Sequence, residues 1–291
     1  MLARLLVRVM DAQGVWTKPL GDLVHRFLFW LFQGVPALRD LLVGRWLGHP
    51  LHAVLTDAPI GILFLVIVFD VLGNQGAATV TLAVGVLTML AAALAGFADY
   101  ADTDGRARER ATLHSSLMVV ALVIYLLSLA LRLGTAPAAS TGGAWLSILG
   151  FLVLSAGAYV GGDVVYVLGN MVSRHAFRGA GTKWIALEPA ETDGNGGIPE
   201  GKLVKAKLGL NQLVLVRQGE TILALHDTCA HAGGPLNEGK LIDGNLVECP
   251  WHYSRYRLSD GLVVQGPSVY DQPAYEVRPR EGGGWEARRS S

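Results

Sequence analysis

Two short motifs near the C-terminal end of the chain each combine a cysteine with a histidine. They are Cys229-Ala230-His231 and Cys249-Pro250-Trp251-His252, with 17 residues between them. Two cysteines and two histidines suit a 2Fe–2S centre in which the cysteines hold one iron and the histidines hold the other. The alternative is a structural zinc site, but zinc sites usually pair cysteine with cysteine and histidine with histidine, whereas each motif here mixes the two.

The residues around these motifs resemble the Rieske iron–sulfur family. Gly233-Gly234-Pro235-Leu236 follows the first motif, and Gly266-Pro267 stands where Rieske domains carry a proline-containing loop beside the cluster. The resemblance implies a small all-β domain with a Rieske-type 2Fe–2S cluster. Its ligands would be Cys229, His231, Cys249 and His252.

Two neighbouring residues and the cysteine count bear on the reduction potential of the cluster, and a third residue bears on the geometry of its loop. Ser254 and Tyr256 stand where respiratory Rieske proteins donate hydroxyl hydrogen bonds to cluster sulfurs, which raises the reduction potential. The chain has only two cysteines, so it cannot form the extra disulfide of those respiratory proteins. These opposing features predict an intermediate potential. The family usually has glycine directly after the second histidine, whereas this chain has Tyr253, which is expected either to alter the loop geometry or to present a ring to a partner.

The segments around the motifs predict β-structure. Runs of β-formers at 203–207, 212–217, 221–225 and 275–278 are separated by Gly, Asp and Asn turns. Trp184 is expected to open the first strand.

The first part of the chain has the composition of a membrane protein. Only 16% of the whole sequence is charged and 51% is hydrophobic, and the apolar excess lies before residue 172. Four apolar runs, at 51–72, 77–97, 113–133 and 144–168, are each long enough to cross a bilayer. The sequence therefore predicts an α-helical four-span transmembrane bundle followed by the small all-β Rieske iron–sulfur domain. The formal net charge of zero argues against a nucleic-acid partner.

The distribution of basic residues predicts the orientation of the spans. The loops at about 73–76 and 134–143 hold no Lys or Arg, whereas the opposite segments are basic. The positive-inside rule then places both termini and the Rieske domain in the cytoplasm, with the protein as a multi-pass component of the cell membrane. The basic residues on that side are Arg4, Arg8, Lys18, Arg26, Arg39, Arg45, Arg106, Arg108, Arg110, Arg174, Arg178 and Lys183.

The predicted organisation has four parts. Residues 1–48 form an amphipathic N-terminal segment, 49–176 the four-helix membrane domain, 177–183 a linker and 184–291 the Rieske domain. Residues 2–10 and 23–32 are interpreted as interfacial helices on the cytoplasmic leaflet, with a disordered basic leader as the alternative. Arg8 interrupts the first apolar stretch, which argues against a cleavable signal peptide. The sequence shows no internal repeat.

Several histidines and carboxylates fall toward the predicted cytoplasmic side of the spans. Ionisable residues in or beside membrane spans are functional candidates because their burial in lipid is costly. Some of them belong to a second resemblance, over about residues 45–176, to the membrane family called domain of unknown function 2231. The matching motifs are His49-Pro50-Leu51-His52, Asp57-Ala58-Pro59-Ile60-Gly61, Gly161-Gly162-Asp163 and Tyr166, and the candidates are His49, His52, Asp57, His114, Asp163 and His175. This resemblance implies a four-helix membrane domain with a redox role, but no established activity.

Three interpretations of these candidates stay open. They could bind a b-type haem, with an axial pair such as His52 and His114. They could form a quinone pocket, or they could serve only packing and hydrogen bonding at headgroup level. Asp70, near the outer end of the first span, has no identifiable partner in the sequence and is expected to snorkel.

The sequence favours an electron carrier or oxidoreductase subunit over a complete enzyme. Beyond the two ligands, the head has only His226, which is too few for the mononuclear iron of a Rieske oxygenase. The expected function is a membrane-anchored electron-transfer protein. It would relay single electrons between a cytoplasmic partner and a membrane redox site, haem b or quinone. The alternative is a redox or oxygen sensor whose cluster state changes the contacts of a membrane domain.

Overall fold

The structure is a computed structural model that describes residues 2–134, 137–177, 183–193 and 197–290. The chain divides into two compact units. The first comprises Met1–Val35 and Pro50–Asn170, and the second comprises Pro36–His49 and Met171–Ser291. Most of the predicted linker at 177–183 lies outside the described residues.

The first unit is helical. Four of its helices are long and apolar enough to cross a membrane: Leu51–Val71, Gln75–Tyr100, Gly105–Arg132 and Thr141–Val167. The prediction of a four-span bundle is therefore confirmed. The α-helices in the described part of both units are α1 (Leu2–Ala12), α2 (Gly14–Gly34), α3 (Pro36–Val43), α4 (Leu51–Val71), α5 (Gln75–Tyr100), α6 (Gly105–Arg132) and α7 (Pro137–Gly162), and α7 continues as a π-helical turn (Asp163–Val167).

Small residues let the membrane helices pack closely. A side chain at Gly85 of α5 would collide with Leu63 of α4, because a Cβ there would lie 2.5 Å from a Leu63 methyl carbon. In lipid, where helix association depends on close packing, such small residues bring the helix backbones together. The buried core between the helices includes Leu63, Leu82, Val86, Met89 and Tyr125.

A buried ion pair ties α4 to α6. Arg132 Nη2 lies 2.6 Å from Asp70 Oδ2, and Arg132 Nη1 lies 2.8 Å from Asp70 Oδ1. Both side chains are almost fully buried. The expectation that Asp70 snorkels without a partner is therefore wrong: its charge is balanced inside the bundle.

The N-terminal amphipathic segments lie in helices. Residues 2–10 fall in α1 and 23–32 in α2, which buries Thr17, Gly21, Leu28 and Phe32. Gly21 approaches α6 so closely that a Cβ there would lie 2.5 Å from Thr112 Oγ1.

The second unit is a β-domain built from a closed barrel and a smaller sheet. The barrel is antiparallel with strand order β1-β10-β9-β4-β3-β2, and the four-stranded sheet has the order β5-β6-β7-β8. This confirms the predicted all-β domain. The strands are β1 (Ile185–Pro189), β2 (Val204–Leu208), β3 (Asn211–Gln218), β4 (Thr221–His226), β5 (Lys240–Ile242), β6 (Leu246–Glu248), β7 (Arg255–Arg257), β8 (Val263–Gln265), β9 (Ala274–Pro279) and β10 (Trp285–Arg289).

The central strand β3 explains how the barrel and the small sheet share a core. Leu213 and Leu215 point into the barrel, whereas Val214 and Val216 pack with the residues of the small sheet. Alternating strand residues face opposite sides, so a strand that is apolar on both faces must be covered on both.

The compact units do not end where the sequence-based boundaries stood. The sequence-based division places residues 36–48 in the interfacial segment and His49 in the membrane domain, whereas in the structure α3 and the turn Arg45–Leu47 belong to the β-domain unit. Val43 of α3 is completely buried there. Residues 171–177 likewise belong to the second unit.

Candidate metal centre

The two Cys/His motifs occupy tight loops of the β-domain. The first loop follows β4 and closes on its own cysteine, because Cys229 N donates to Gly234 O at 2.9 Å and Gly233 N donates to Cys229 O at 3.0 Å. The second loop joins β6 to β7, and Cys249 N donates to Ser254 O at 2.9 Å. Each loop thus fixes one cysteine and one histidine within a few residues.

The four predicted ligands come together as two pairs. Cys229 and Cys249 are both buried and not in a disulfide, and each thiol shifts the pKa of the other. The rings of His231 and His252 are also buried, with centroids 5.1 Å apart and planes at 90°. Among the described residues, no group of three or more His, Cys, Asp or Glu could hold one metal ion. A sulfur pair beside a nitrogen pair fits a diiron cluster with one pair on each iron.

The electrostatics of the site suit these roles. Burial, with the neighbouring His252 and the cations Arg39 and Arg174, holds the pKa of His231 well below its usual range. The imidazole therefore stays neutral and keeps a lone pair for a metal. Burial raises the pKa of Cys229, while the hydrogen bond from the Cys229 thiol lowers the pKa of Cys249 to about 7.

A glycine leaves room beside the sulfur pair. A Cβ at Gly234 would lie 2.9 Å from Cys249 Sγ and 3.0 Å from the ring of Trp251. Only glycine lets the first loop pass this close to the second, so Gly234 allows the two ligand loops to pack together.

The predicted hydroxyl residues lie next to the sulfur ligands. Tyr256 is completely buried, and its Oη lies 3.1 Å from Cys229 Sγ. Burial raises the pKa of Tyr256 well above its usual value, so the phenol keeps the proton that it can donate to sulfur. Ser254 is also buried, and its Oγ accepts a hydrogen bond from Ser268 N at 3.0 Å. Its own proton can still be donated.

Tyr253 adopts the conformation that glycine favours. Its φ is 66°, in the left-handed region. Tyr253 therefore differs from the usual glycine in its side chain, while the backbone has a conformation that glycine can adopt. In this turn Tyr253 N donates to Cys249 O at 3.2 Å.

Two polar residues that the sequence did not single out brace the first loop. Gln272 is buried; its Oε1 accepts from Ala230 N at 2.9 Å and its Nε2 donates to Thr228 O at 2.7 Å. His226 is also buried, and its Nδ1 accepts from Thr228 N at 3.1 Å. No sequence motif marks either residue: Gln272 contacts a loop more than 40 residues away, and the contact of His226 with Thr228 is local but belongs to no ligand motif.

The segment at 36–49 braces the proline-containing loop. Asp40 Oδ1 accepts from Gly266 N at 2.8 Å, and Asp40 Oδ2 pairs with Arg45 Nε at 2.8 Å. Gly266 is needed because a Cβ there would lie 2.8 Å from Asp40 Oδ1.

The candidate residues of the membrane region do not form one cluster. His52 and His114 lie together, with ring centroids 6.3 Å apart. Asp163 pairs with Arg110, at 3.1 Å between Oδ2 and Nε. Asp57 and His49 are exposed. His175 belongs to the second unit, where its Nε2 lies 2.8 Å from Thr228 O.

Comparisons with known proteins identify a family for each part of the chain. Residues 191–276 match the Rieske [2Fe-2S] domain, and residues 48–174 match a predicted membrane protein family, DUF2231. The ferredoxin CarAc of Metapseudomonas resinovorans is 33% identical over 76 residues, which are 26% of this chain and 70% of that protein. The anthranilate 1,2-dioxygenase ferredoxin subunit of Burkholderia cepacia is 31% identical over 74 residues, 25% of this chain and 68% of that protein.

One solved structure to which this chain is similar is the ferredoxin of carbazole 1,9a-dioxygenase from Nocardioides aromaticivorans IC177. It is 23% identical, with a TM-score of 0.30, and the match covers 35% of this chain and 97% of that chain.

The barrel and the family match define a Rieske ferredoxin-like electron-transfer domain that carries a 2Fe–2S cluster. The chain belongs to the Rieske family through its second unit, a ferredoxin-like domain, and this domain is fused to a membrane region of the DUF2231 type.

Proposed function

We propose that this protein is a membrane-anchored Rieske electron carrier. It would relay single electrons between a cytoplasmic redox partner and a redox site in its own membrane region, either haem b or a quinone. In this role Cys229, His231, Cys249 and His252 hold the cluster, which supplies one-electron transfer when bound. Tyr256 and Ser254 tune its potential through their hydroxyl groups.

The observation that carries the proposal is that both segments adjoining the membrane helices fold onto the cluster loops. Before α4, Asp40 accepts from Gly266 N in the proline-containing loop at 2.8 Å. After α7, Arg174 N donates to Ala230 O at 3.1 Å, between the ligands of the first loop. A carrier domain that is only anchored to the membrane needs no more than a flexible tether. Here the two segments that lead to the membrane helices instead contact the cluster loops directly.

The proposal includes cytoplasmic placement of the β-domain. Its support is a group of three arginines at the start of α6, Arg106, Arg108 and Arg110. The loops at the opposite ends of the spans, at about 73–76 and 134–143, carry no Lys or Arg. Arg132, near the opposite ends of the spans, is a single basic residue against these three. Proteolysis of the β-domain should occur in inside-out membrane vesicles and not in sealed cells; cleavage in sealed cells would reverse the orientation.

The relay is tested with the full-length protein in detergent under nitrogen. The cluster is reduced chemically and mixed with a short-chain ubiquinone analogue, or monitored together with any bound haem. The rhombic paramagnetic signal of the reduced cluster reports its oxidation. We expect electron exchange on a millisecond-to-second scale. A His231→Ala variant should lose the signal and still insert into membranes.

A reduced cluster that exchanges electrons with neither haem nor quinone on that scale would rule out the relay within one chain. The redox-sensor alternative would then predict a protease cleavage pattern that differs between the oxidised and reduced protein.

A further inference from the structure

Two histidines of the membrane unit form a pair that the cluster does not use. His52 lies at the start of α4 and His114 lies in the first half of α6. Their ring centroids are 6.3 Å apart and the ring planes meet at 76°. The pair thus lies between two helices that run in the same direction.

The hydrogen bonds of the two rings fix which nitrogen can bind a ligand. His52 Nδ1 lies 2.8 Å from Ala92 O of α5, and His114 Nδ1 lies 2.8 Å from Gly157 O of α7. A carbonyl oxygen only accepts, so each Nδ1 must carry the proton and donate. In the neutral ring the lone pair is then on Nε2. Histidines that ligate metals almost always donate their other N–H in this way.

A glycine packs on each of the two rings. Gly96 and Gly161 each lie four residues after the carbonyl that accepts from the histidine. A Cβ at Gly96 would lie 2.9 Å from His52 Cε1, and a Cβ at Gly161 would lie 2.9 Å from His114 Nδ1. Any larger residue would displace the ring, so each helix pair holds its histidine by the same carbonyl-and-glycine arrangement.

The arrangement favours a metal centre over a quinone. The carbonyl oxygens of a quinone need hydrogen-bond donors, whereas both Nε2 atoms offer lone pairs. Two imidazoles on opposite sides of one metal, each with a metal–nitrogen bond of about 2 Å, have ring centroids about 6 Å apart. That separation does not change when a ring turns about the metal–nitrogen axis.

The number of ligands selects the kind of metal centre. A lone zinc ion takes four ligands, but Asp163 is paired with Arg110 and Asp57 is exposed. Haem supplies the four porphyrin nitrogens itself and needs only axial ligands such as histidine. We propose that the membrane unit binds one b-type haem, with His52 and His114 as its axial ligands.

The haem site rests on the proposed function, because the haem would be the membrane redox site that exchanges electrons with the cluster. Haem binding itself is tested separately. The full-length protein is purified in detergent and titrated with haemin. We expect about one haem per chain, with the Soret and α-bands of a six-coordinate, low-spin haem. Absence of stoichiometric, saturable haem binding would overturn the site.

Single substitutions identify the ligands. His52→Gly and His114→Gly should each abolish the six-coordinate spectrum, while the exposed His49→Gly should keep it. Added imidazole should restore the spectrum in the two ligand variants, which separates ligand loss from misfolding. A six-coordinate spectrum that persists in either ligand variant without imidazole would overturn the assignment.

The glycines provide a test without removing a ligand. Gly96→Ala should weaken haem binding roughly 10-fold or more, in the range of outer-shell substitutions at metal sites. Gly61→Ala, where a Cβ would meet nothing within 4 Å, is the matched control. Equal haem affinity in the two variants would contradict the role of the glycine.

The outcomes for the site and for the relay are distinguishable. A protein that binds no haem but whose reduced cluster is oxidised by quinone refutes only the haem site. A protein that binds haem through His52 and His114 but never exchanges electrons between haem and cluster refutes only the relay.

Discussion

The hydroxyl of Tyr256 should raise the reduction potential of the cluster. Its Oη lies 3.1 Å from Cys229 Sγ, and the residue is completely buried, so water cannot replace the bond in a Tyr256→Phe variant. Reduction adds negative charge to the cluster and its sulfur ligands. A donor to sulfur therefore stabilises the reduced state more than the oxidised state, and its removal should lower the potential.

The size of this shift follows from the energy of one hydrogen bond. A bond to a charged acceptor contributes about 1.5–3 kcal/mol, and only the difference between the two oxidation states enters the potential. A difference of about 1 kcal/mol corresponds to roughly 40 mV, because a tenfold change in the equilibrium is 59 mV for one electron and 1.4 kcal/mol. We expect the variant to have a midpoint potential lower by about 40 mV.

The assay is a redox titration of the full-length protein, followed by the paramagnetic signal of the reduced cluster. Tyr270→Phe is the matched control, because the Tyr270 hydroxyl donates to Met171 O at 2.9 Å and not to sulfur. The control should keep the wild-type potential. An intact signal with an unchanged or higher potential in Tyr256→Phe would refute the proposed donation to Cys229.

Three further outcomes follow from the packing. Asp40→Ala leaves the buried N–H of Gly266 without its acceptor and should destabilise the β-domain by about 1–3 kcal/mol. The cluster signal should then be lost at a lower denaturant midpoint. Asp260→Ala, at an exposed ion pair, should leave the midpoint unchanged. Arg132→Ala leaves the Asp70 carboxylate buried without its partner and should lower the free energy of unfolding in micelles by about 3–5 kcal/mol. The double variant with Asp70→Ala should recover part of this loss. A double variant that is no more stable than Arg132→Ala would contradict the pairing. Gly234→Ala should prevent cluster assembly, measured as iron and sulfide per chain, because its Cβ would lie 2.9 Å from a ligand sulfur; full occupancy would show that the loops can separate.

The sequence and the structure disagree most clearly over charged and small residues in the spans. Asp70 and Arg132 are 62 positions apart, so no local pattern could pair them, and only helix packing brings their charges together. Asp163 entered the sequence analysis as a redox candidate because a carboxylate in a membrane span usually has a function. Its partner Arg110 is 53 positions away and appeared only as one of several loop cations.

The sequence showed no internal repeat, but the structure has one that is carried by contacts. In the pair α4–α5 and in the pair α6–α7, a histidine of the first helix donates a hydrogen bond to a backbone carbonyl of the second helix. In both pairs a glycine follows four residues after that carbonyl. The separations along the chain differ, 40 residues from His52 to its acceptor and 43 from His114 to its own, so the repeat is hidden from a search at fixed period.

The sequence by itself determined what depends on residue type and local order. Cysteine and histidine are chemically distinctive ligands and stand in short loops, so their spacing identified the cluster; runs of apolar residues identified the spans because bilayer thickness fixes the length of a crossing. The tertiary structure decided what depends on long-range contact. It placed α3 against the proline-containing loop, Gln272 against the first ligand loop and His52 beside His114. Hydrogen bonds and close packing between distant segments leave no periodic or compositional signal, because any residue with a suitable donor, acceptor or small volume can make them.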